Sequence, residues 1–504
     1  MPDASFFSLL RSRFPADPAK PVIVTGDGRR IGYRELDEAT ARYARVLLAR
    51  GARRGDRVAF QTEKSPEALV LYLACLRAGL VALPMNPAYH AGEAGYMLGN
   101  AEPAVFVCDP AKLAELQPKV PAVLTLDAQG RGELAEAAAR ETPDLEPAAM
   151  AAHELAAMLY TSGTTGRPKG APLSHGNLSS NALVLAEAWG FTGDDVLLHA
   201  LPIFHAHGLF VACHTVLVSG ASMRWLPRFE APKVLALLPQ ATVMMGVPTF
   251  YTRLLDEPSF GPELCRNVRL FVSGSAPLLA ETWKAFERRT GQAILERYGM
   301  SEILMHCGNP LHGERRAGSV GPPFKGSEVR IVDEADRPLQ AGEVGAVLVK
   351  GPNVFAGYWR MPEKNAEEFT ADGWFRTGDL GTLSEDGYLT LVGRAKDLVI
   401  TGGLNVYPSE VETVIDALPG VVESAVIGLP HRDFGEAVTA VVKRAAGTST
   451  PDEAAVIAAC KASLAGYKVP KRVLFADDLP RNAMGKVQKK LLRDAHANLY
   501  DGAA

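Results

Sequence analysis

The sequence has little of several features that would point to particular classes of protein. Its 504 residues contain six cysteines, which lie far apart and include no CxxC pair. Such spacing favours buried or free thiols over a disulfide framework or a zinc site. Lysine and arginine (53) nearly balance aspartate and glutamate (57), which gives no support for a broad basic face that binds nucleic acid. We therefore expect partners that bind in a pocket.

Long apolar runs and targeting signals are also missing. The longest apolar stretch, 68–84, contains Arg77 and Gly79 and is shorter than the roughly 20 residues of a membrane-spanning helix. It predicts a buried helix over 68–78 and then a short core strand. The first 15 residues have too short an apolar stretch for a signal peptide, and Asp3 argues against an organellar presequence. We expect a cytoplasmic protein that does not bind membranes.

The length and the hydrophobic pattern predict more than one domain. Short apolar runs at 197–201, 242–246 and 268–272 alternate with helical stretches such as 280–290. This pattern predicts an α/β fold with layered, largely parallel sheets. Beyond Gly326 the residues alternate or are β-branched between glycine and aspartate turns, which indicates a small antiparallel barrel or sheet.

A separate α+β unit is predicted at the C-terminal end. A short helix is expected at 408–418, and another begins at Pro451, with Thr450 as its predicted N-cap. We place the boundary so that 1–395 form a large N-terminal domain and 396–504 a small C-terminal domain.

The most specific feature is the string YTSGTTGRPKG at 160–170. Its glycines allow close approach of the backbone to phosphate oxygens, its hydroxyls and N–H groups can donate to them, and Lys169 adds a positive charge. The Walker spacing is absent, so a P-loop NTPase is disfavoured. The length of the string also disfavours a simple connecting loop, and it indicates a phosphate-binding loop.

This string resembles the signature of the adenylate-forming superfamily, which includes acyl-CoA synthetases, adenylation domains of nonribosomal peptide synthetases, and luciferases. Five further segments are similar to family motifs in the expected order: LPIFH at 201–205, YGMSE at 298–302, WFRTGD at 374–379, GRAKD at 393–397 and PRNAMGK at 480–486. The resemblance runs from about Tyr33 to Arg493. It implies a site between a large N-terminal domain and a small mobile C-terminal domain.

The resemblance also implies roles for individual residues. Glu302, together with Thr161, would hold Mg²⁺, which shields the triphosphate. Asp379 would accept both ribose hydroxyls with help from Arg394, although either charge alone would be read as a solvated surface group. Lys486 would contact the attacking carboxylate and the α-phosphate and stabilise the transition state. The whole ATP-binding set is Thr161, Ser162, Gly163, Thr164, Thr165, Gly166, Lys169, Gly274, Ser275, Ala276, Glu296, Arg297, Tyr298, Gly299, Met300, Ser301, Asp379 and Arg394.

The same resemblance predicts how coenzyme A is handled. Lys396 stands where relatives have the hinge between the domains, a position that is often aspartate, and Asp397 is an adjacent candidate. Gly402, Gly403 and Leu404 would border the pantetheine arm.

The acid substrate is suggested by cations near the expected acyl pocket. Arg297 precedes the tyrosine motif, and Arg253 lies in the GVPTFYTRLL segment. This segment and KDLVITGGLNVYP closely resemble malonyl-CoA synthetases, which bind the second carboxylate of malonate through such arginines. Burial of an unpaired carboxylate is costly, so a dicarboxylate pocket needs a paired cation. The predicted acyl-binding set is His205, Arg253, Ser275, Arg297 and Met305.

The predicted activity is ATP-dependent ligation of malonate to coenzyme A, with Lys486, Glu302 and His205 as the catalytic set. Ser301 replaces the commoner threonine, and 303–307 differ from relatives. Because this stretch borders the acyl pocket, methylmalonate stays open as a further substrate. Two alternatives are a short- or medium-chain fatty acid–CoA ligase and a stand-alone adenylation module that loads a carrier protein. A non-enzymatic binding protein is disfavoured because the catalytic and ribose-binding residues are all present.

Overall fold

Four β-sheets form the framework of the described parts of the protein. The computed structural model describes residues 3–161, 168–445, 450–482 and 484–500. Six residues of the predicted phosphate loop, Ser162 to Arg167, lie outside these ranges. No helix in the described parts is long and apolar enough to cross a membrane.

The strands are short. In chain order they are β1 Pro21–Thr25, β2 Arg30–Gly32, β3 Arg57–Gln61, β4 Val81–Pro84, β5 Val105–Cys108, β6 Ala122–Thr125, β7 Leu155–Thr161, β8 Lys169–Ser174, β9 Val196–His199, β10 Ser222–Trp225, β11 Val243–Gly246, β12 Leu270–Ser273, β13 Leu295–Met300, β14 Leu304–Gly308, β15 Glu328–Val332, β16 Gly345–Lys350, β17 Phe375–Leu383, β18 Leu389–Arg394, β19 Val399–Thr401, β20 Leu404–Val406, β21 Val421–His431, β22 Gly435–Arg444 and β23 Arg472–Ala476.

The α-helices lie mostly between strands. They are α1 Phe6–Ser12, α2 Tyr33–Ala49, α3 Pro66–Arg77, α4 Ala91–Ala101, α5 Leu113–Leu116, α6 Glu133–Ala138, α7 His175–Ala188, α8 His214–Val218, α9 Ala231–Leu237, α10 Pro248–Leu255, α11 Pro262–Cys265, α12 Ala280–Thr290, α13 Pro362–Glu368, α14 Pro408–Asp416, α15 Glu453–Ser463 and α16 Lys489–His496. A π-helical segment, His207–Cys213, precedes α8.

Two large sheets are parallel at their centres. The six-stranded sheet has the order β6-β5-β3-β4-β7-β8, and the eight-stranded sheet has the order β14-β13-β12-β11-β9-β10-β1-β2. Antiparallel pairs occur at the edges, between β7 and β8, β13 and β14, and β1 and β2. Inner strands such as β4, β5, β11 and β12 are buried at every residue, as expected when helices cover both faces of a parallel sheet. The predicted layering is confirmed.

The apolar stretch near residue 70 forms a buried helix, as predicted. Helix α3 begins after Ser65, whose hydroxyl accepts a hydrogen bond from Ala68 N at 3.1 Å, and Pro66 occupies the first turn. Every residue of α3 except Glu67 is buried. Arg77 is tolerated there because its Nη1 donates to Asp37 Oδ1 at 2.7 Å.

The remaining sheets are smaller. Strands β15 to β18 form an antiparallel sheet, as predicted for the sequence after Gly326. The C-terminal sheet has the order β20-β19-β22-β21, with β23 parallel to β22. One detail of the prediction was wrong: Asp452, not Thr450, caps α15 and accepts from Ala455 N at 2.8 Å. A carboxylate is the better acceptor at the positive end of a helix.

Candidate active site

The predicted site residues converge where parallel strands end. Thr161 ends β7, Gly274 and Ser275 follow β12, and β13 carries Arg297 and Tyr298. Carboxyl ends of parallel strands form the usual ligand-binding edge of α/β sheets. The topology thus gathers side chains that are far apart in sequence.

The two ends of the phosphate loop are fixed against each other. Thr161 pairs with Lys169 across β7 and β8. Lys169 is buried, and its Nζ lies 4.0 Å from the ring centroid of Tyr358 and 3.9 Å from Glu368 Oε1. Burial lowers the pKa of this lysine. The strand ends that flank the loop therefore hold a buried cation, which suits a polyphosphate ligand.

Glu302 supplies a buried carboxylate beside the phosphate loop. Its Oε1 accepts hydrogen bonds from Tyr358 Oη at 2.9 Å and from Thr161 Oγ1 at 3.3 Å. Burial raises the pKa of this carboxyl group. Adjacent oxygens around an octahedral Mg²⁺ ion with bonds of about 2.1 Å stand about 3 Å apart. The Glu302 and Thr161 oxygens therefore fit a magnesium ion.

Asp379 lies in a hydrogen-bonded group at the junction of β17 and β18. Arg394 Nε is 2.7 Å from Asp379 Oδ1, and the hydroxyl of Tyr298 donates to Oδ2. Each carboxylate oxygen has a second lone pair. The group therefore holds the carboxylate in one orientation while leaving it able to accept from a diol.

Arg297 is a buried cation with free donors. Arg297 is 3% exposed, and its Nε and Nη2 have no hydrogen-bond partner among the described residues. A Cβ at Gly274 would lie 2.3 Å from Cζ of Arg297, so the guanidinium packs directly on a glycine backbone. Burial lowers the pKa of Arg297 to about 9, which leaves it charged at neutral pH.

Polar side chains surround this arginine. His207 is fully buried, its Nδ1 lies 3.2 Å from Ser275 Oγ, and its Nε2 has no partner among the described residues. Ser275 has a left-handed backbone with φ +73°, the kind of strain that concentrates at functional sites. Burial lowers the pKa of His205 to about 4, so this histidine is neutral.

Glu296 does not neutralise the arginine. Burial raises the pKa of Glu296 to about 8, and its Oε2 has no hydrogen-bond partner in the described chain. The raised pKa disfavours the charged form of Glu296, which weakens its ability to pair with Arg297. Buried, unpartnered donors around one cation point to an anionic ligand.

Two residues of the predicted acyl set differ sharply in position. Met305 is 2% exposed, and its carbonyl accepts from Asn181 Nδ2 at 2.7 Å. Arg253 is exposed on α10, whose buried residues are Phe250, Tyr251 and Leu254. The structure thus brings Arg297 but not Arg253 into the buried cluster. Of the other predicted ATP residues, Ala276, Gly299, Met300 and Ser301 are half-buried.

Lys486 lies on a tight turn of the C-terminal unit. Arg481 bridges to Val487, and Asn482 Oδ1 accepts from Lys486 N at 3.0 Å. Burial, and then the charge of Arg394, lower the pKa of Lys486 to about 8. A Cβ at the neighbouring Gly485 would lie 3.2 Å from Thr249 Oγ1 at the start of α10. The turn therefore reaches the ribose-binding group and the N-terminal part of the chain.

The predicted hinge residue and the predicted coenzyme A residues are all exposed. Lys396 is exposed in a one-turn 3₁₀ helix, Ala395–Asp397, between β18 and β19. Gly402 and Gly403 form the exposed tip of the β19–β20 hairpin, and Leu404 is 49% exposed. The domain boundary at 395/396 and the hinge role stay predictions.

Tyr358 and His207 are site residues for which no role was predicted from the sequence. Tyr358 is the tyrosine of the GYW triplet, and its hydroxyl reaches Glu302, 56 positions away in sequence. His207 is the second histidine of the His-Ala-His triplet. A histidine two residues after a predicted site histidine was the available signal for His207, whereas Tyr358 could be found only from the tertiary contact.

Two family models match the chain, and solved structures align with it. Residues 10–359 match the family model described as AMP-binding enzyme, and 410–486 match the AMP-binding enzyme C-terminal domain. The crystal structure of ATP-bound MatB from Rhodopseudomonas palustris aligns with a TM-score of 0.97 at 54% identity, covering 99% of this chain and 100% of that chain. The apo form of that protein aligns with a TM-score of 0.85.

Two curated relatives differ in their named substrates. A feruloyl-CoA synthase from Amycolatopsis sp. is 37% identical, covering 92% of this chain and 94% of its own length. A malonate–CoA ligase from Arabidopsis thaliana is 32% identical, covering 95% of this chain and 86% of its own length. Because one family model spans most of the sequence and these relatives align over nearly all of it, the chain belongs to the AMP-binding enzyme family.

Proposed function

We propose that this protein is a malonate–CoA ligase, which converts malonate, ATP and coenzyme A into malonyl-CoA, AMP and diphosphate through a malonyl-adenylate. The observation that carries the proposal is the buried guanidinium of Arg297, whose Nε and Nη2 have no partner among the described residues. An uncompensated cation at 3% exposure is costly unless a ligand pairs with it. The second carboxylate of malonate supplies that charge.

The alternative substrates would leave Arg297 without a partner. A fatty acid or a cinnamic-type acid has one carboxylate, which is consumed at the α-phosphorus and leaves Arg297 facing an apolar tail. The curated relatives do not decide between them, since the feruloyl-CoA synthase is somewhat more similar in sequence than the Arabidopsis malonate–CoA ligase. The unpaired positive charge of Arg297 favours malonate over acids with one carboxylate.

The first chemical step joins malonate to AMP. A carboxylate oxygen attacks the α-phosphorus, the bond from that phosphorus to the bridging oxygen breaks, and diphosphate leaves. Lys486 stabilises the charge that develops between the attacking oxygen and the α-phosphate. Lys169 binds the outgoing phosphates, and Asp379 holds the ribose. Glu302 and Thr161 would hold Mg²⁺, which would supply charge neutralisation of the triphosphate.

The second step transfers the acyl group to coenzyme A. The thiol sulfur loses its proton and attacks the acyl carbonyl carbon, and the bond to AMP breaks. The β19–β20 hairpin tip, with Gly402 and Gly403, is exposed, so we propose that rotation about Lys396 carries it to the site for this step. Small residues at the tip let the pantetheine arm pass close to the backbone.

A substrate panel tests the proposal. AMP formation is measured with malonate, methylmalonate, succinate, acetate, octanoate and ferulate in the presence of ATP, Mg²⁺ and coenzyme A. Malonate should be the best substrate, with methylmalonate as the next. Octanoate or ferulate as the best substrate would overturn the malonate assignment. AMP formation without consumption of free coenzyme A would instead favour a module that loads a carrier protein.

We also propose that the protein acts in the cytoplasm. All six cysteines are free and buried, which is compatible with a reducing compartment, and the substrates ATP and coenzyme A are plentiful there.

A further inference from the structure

Tyr358 contacts two groups of opposite charge in the proposed ATP site. Its hydroxyl donates to Glu302 Oε1 at 2.9 Å, and its ring centroid lies 4.0 Å from Lys169 Nζ. The phenol ring is 6% exposed, and both charged side chains are buried. One side chain therefore contacts the carboxylate through its edge and the ammonium through its face.

The backbone around Tyr358 is held firmly. Asn365 Oδ1 accepts from Tyr358 N at 2.6 Å, and Asn365 Nδ2 donates to Tyr358 O at 3.0 Å. Gly357 has φ +129°, and a Cβ there would lie 2.7 Å from the Asn365 amide, so glycine is required. Phe355 N donates to Glu302 O at 2.8 Å, and the Phe355 ring packs edge-on against Tyr358 at 4.9 Å. The segment is thus fixed to the residue whose side chain it orients.

The proposal concerns what this placement does for ATP binding, and it rests on the proposed ligase function. We propose that Tyr358 is a positioning residue: its hydroxyl orients Glu302 toward Mg²⁺, and its ring keeps Lys169 and Glu302 from forming a direct ion pair. Both charges then remain available to the metal and the triphosphate. Lys169 pairs only loosely, at 3.9 Å, with Glu368, which Lys364 also holds at 3.0 Å.

The separation matters because opposite charges attract strongly where water is excluded. A collapsed Lys169–Glu302 pair would have to be broken before either group could bind its ligand. The face of an aromatic ring attracts a cation without consuming its charge. Tyr358 therefore stabilises Lys169 and leaves Glu302 one defined hydrogen bond.

Two substitutions separate the hydroxyl from the ring. Tyr358→Phe removes only the hydroxyl, so Glu302 loses a charged hydrogen bond and the Mg²⁺-dependent gain in ATP affinity should fall about tenfold. ATP affinity in EDTA should be unchanged. Tyr358→Leu also removes the ring, so ATP affinity in EDTA should fall as well, again about tenfold.

Isothermal titration calorimetry with ATP, in Mg²⁺ and in EDTA and without any acid, measures both quantities on the full chain. Tyr33→Phe is the matched control, since it removes another buried tyrosine hydroxyl, which donates to Ala221 O at 2.7 Å far along the chain. Equal Mg²⁺ dependence in Tyr358→Phe, Tyr33→Phe and the wild type would overturn the proposal. So would a loss in Tyr358→Phe that is the same with and without Mg²⁺. Failure of the wild type itself to bind ATP would contradict the ligase function instead.

Discussion

The malonate proposal depends on the positive charge of Arg297. Arg297→Ala should cost malonate on the order of 3–5 kcal/mol of transition-state stabilisation if the carboxylate pair is desolvated. Propionate, which lacks the second carboxylate, should lose much less or gain. The wild type should use acetate poorly, by roughly 10⁴ in kcat/KM, because the buried donors stay unpaired. Steady-state kinetics with the three acids measure these differences.

Exposed arginines provide the comparison for this variant. Arg266→Ala alters an exposed side chain whose Nη1 is 4.0 Å from Glu263, and it should leave all three acids unaffected. Arg253→Ala tests the predicted second cation, and its exposed position leads us to expect a smaller effect than Arg297→Ala. Equal losses of malonate and propionate in Arg297→Ala would mean that this arginine serves ATP or the fold.

The protonation of Lys486 should set the alkaline limit of adenylation. Burial lowers the pKa of this lysine from 10.5 to about 8, so its positive charge is present below that pH and is lost above it. The kcat/KM for ATP, measured from malonate-dependent diphosphate release, should therefore fall as the pH rises through about 8. Bound ATP adds negative charge and raises the pKa, so the limb in kcat should lie at higher pH.

The other half-reaction serves as the internal reference. Thioester formation from supplied malonyl-adenylate should lack the alkaline limb, and Lys486→Ala should slow diphosphate release by several orders of magnitude while this step survives. Loss of both steps in Lys486→Ala would indicate misfolding. An alkaline limb that persists in the residual adenylation of Lys486→Ala would assign it to another group.

At the scale of elements, the turn that carries Lys486 is held by Arg481. The guanidinium donates from Nη1 to Gly485 O at 2.8 Å and pairs through Nη2 with Glu423 on β21. Lysine cannot make both contacts in the geometry of a planar fork. Arg481→Lys should therefore slow diphosphate release about tenfold or more, because small errors in position are costly in catalysis, with thioester formation unchanged.

A second arginine of the same unit is the control for Arg481→Lys. Arg472 Nε pairs with Glu453 at 3.0 Å with 49% of its side chain exposed, so Arg472→Lys should affect neither step. Glu423→Gln should act in the same direction as Arg481→Lys but more weakly. If Arg481→Lys slows the two half-reactions equally, Arg481 supports the fold and not the lysine turn.

The elements themselves were largely predictable from local pattern. The helix at 280–290 and the strands near 197, 243 and 270 occur where the apolar runs indicated, because burial on both faces requires continuous apolar sequence. The cap of α15 was misplaced because Thr450 and Asp452 are both acceptable caps, and the choice depends on local geometry. Ends of elements are less constrained by sequence than their centres.

The site was predictable where motifs carry it and not where tertiary contacts do. Recognisable motifs contain Glu302, Asp379 and Lys486. The structure adds the contacts of Glu302 with Tyr358 and of Asp379 with Arg394. Arg481 and Tyr358 act through residues 58 and 56 positions away, so their sequence context alone does not reveal the contact. The exposure of Arg253 could not be predicted for the same reason, because the packing partners of α10 decide which face of the helix is buried.

The arrangement of the chain is more similar to one solved form of a relative than to another. Its TM-score is 0.97 with ATP-bound MatB and 0.85 with the apo form, and Gly485 contacts Thr249 across the site. Lys486 therefore stands near Asp379 and Arg394 while the Gly402–Gly403 tip faces solvent. This arrangement places the lysine turn, and not the hairpin tip, beside the ribose-binding group, so the proposed rotation would be needed to bring the tip to the acyl group.

Restriction of the backbone at Lys396 should separate the two steps. Leu398 N donates to Ala395 O at 3.3 Å, so Lys396 is the second residue of a turn, where proline is well tolerated. Lys396→Pro should keep the turn present in this arrangement and oppose the backbone change needed for rotation. Diphosphate release should stay within about threefold of wild type, whereas thioester formation from malonyl-adenylate should slow by about tenfold or more.

Stopped-flow measurement of each half-reaction tests this prediction. The variant Lys396→Ala separates the loss of the side chain from the restriction of φ. Thioester formation that is unchanged in Lys396→Pro would place the hinge at another residue, with Asp397, which Arg493 Nη1 holds at 3.0 Å, as the next candidate.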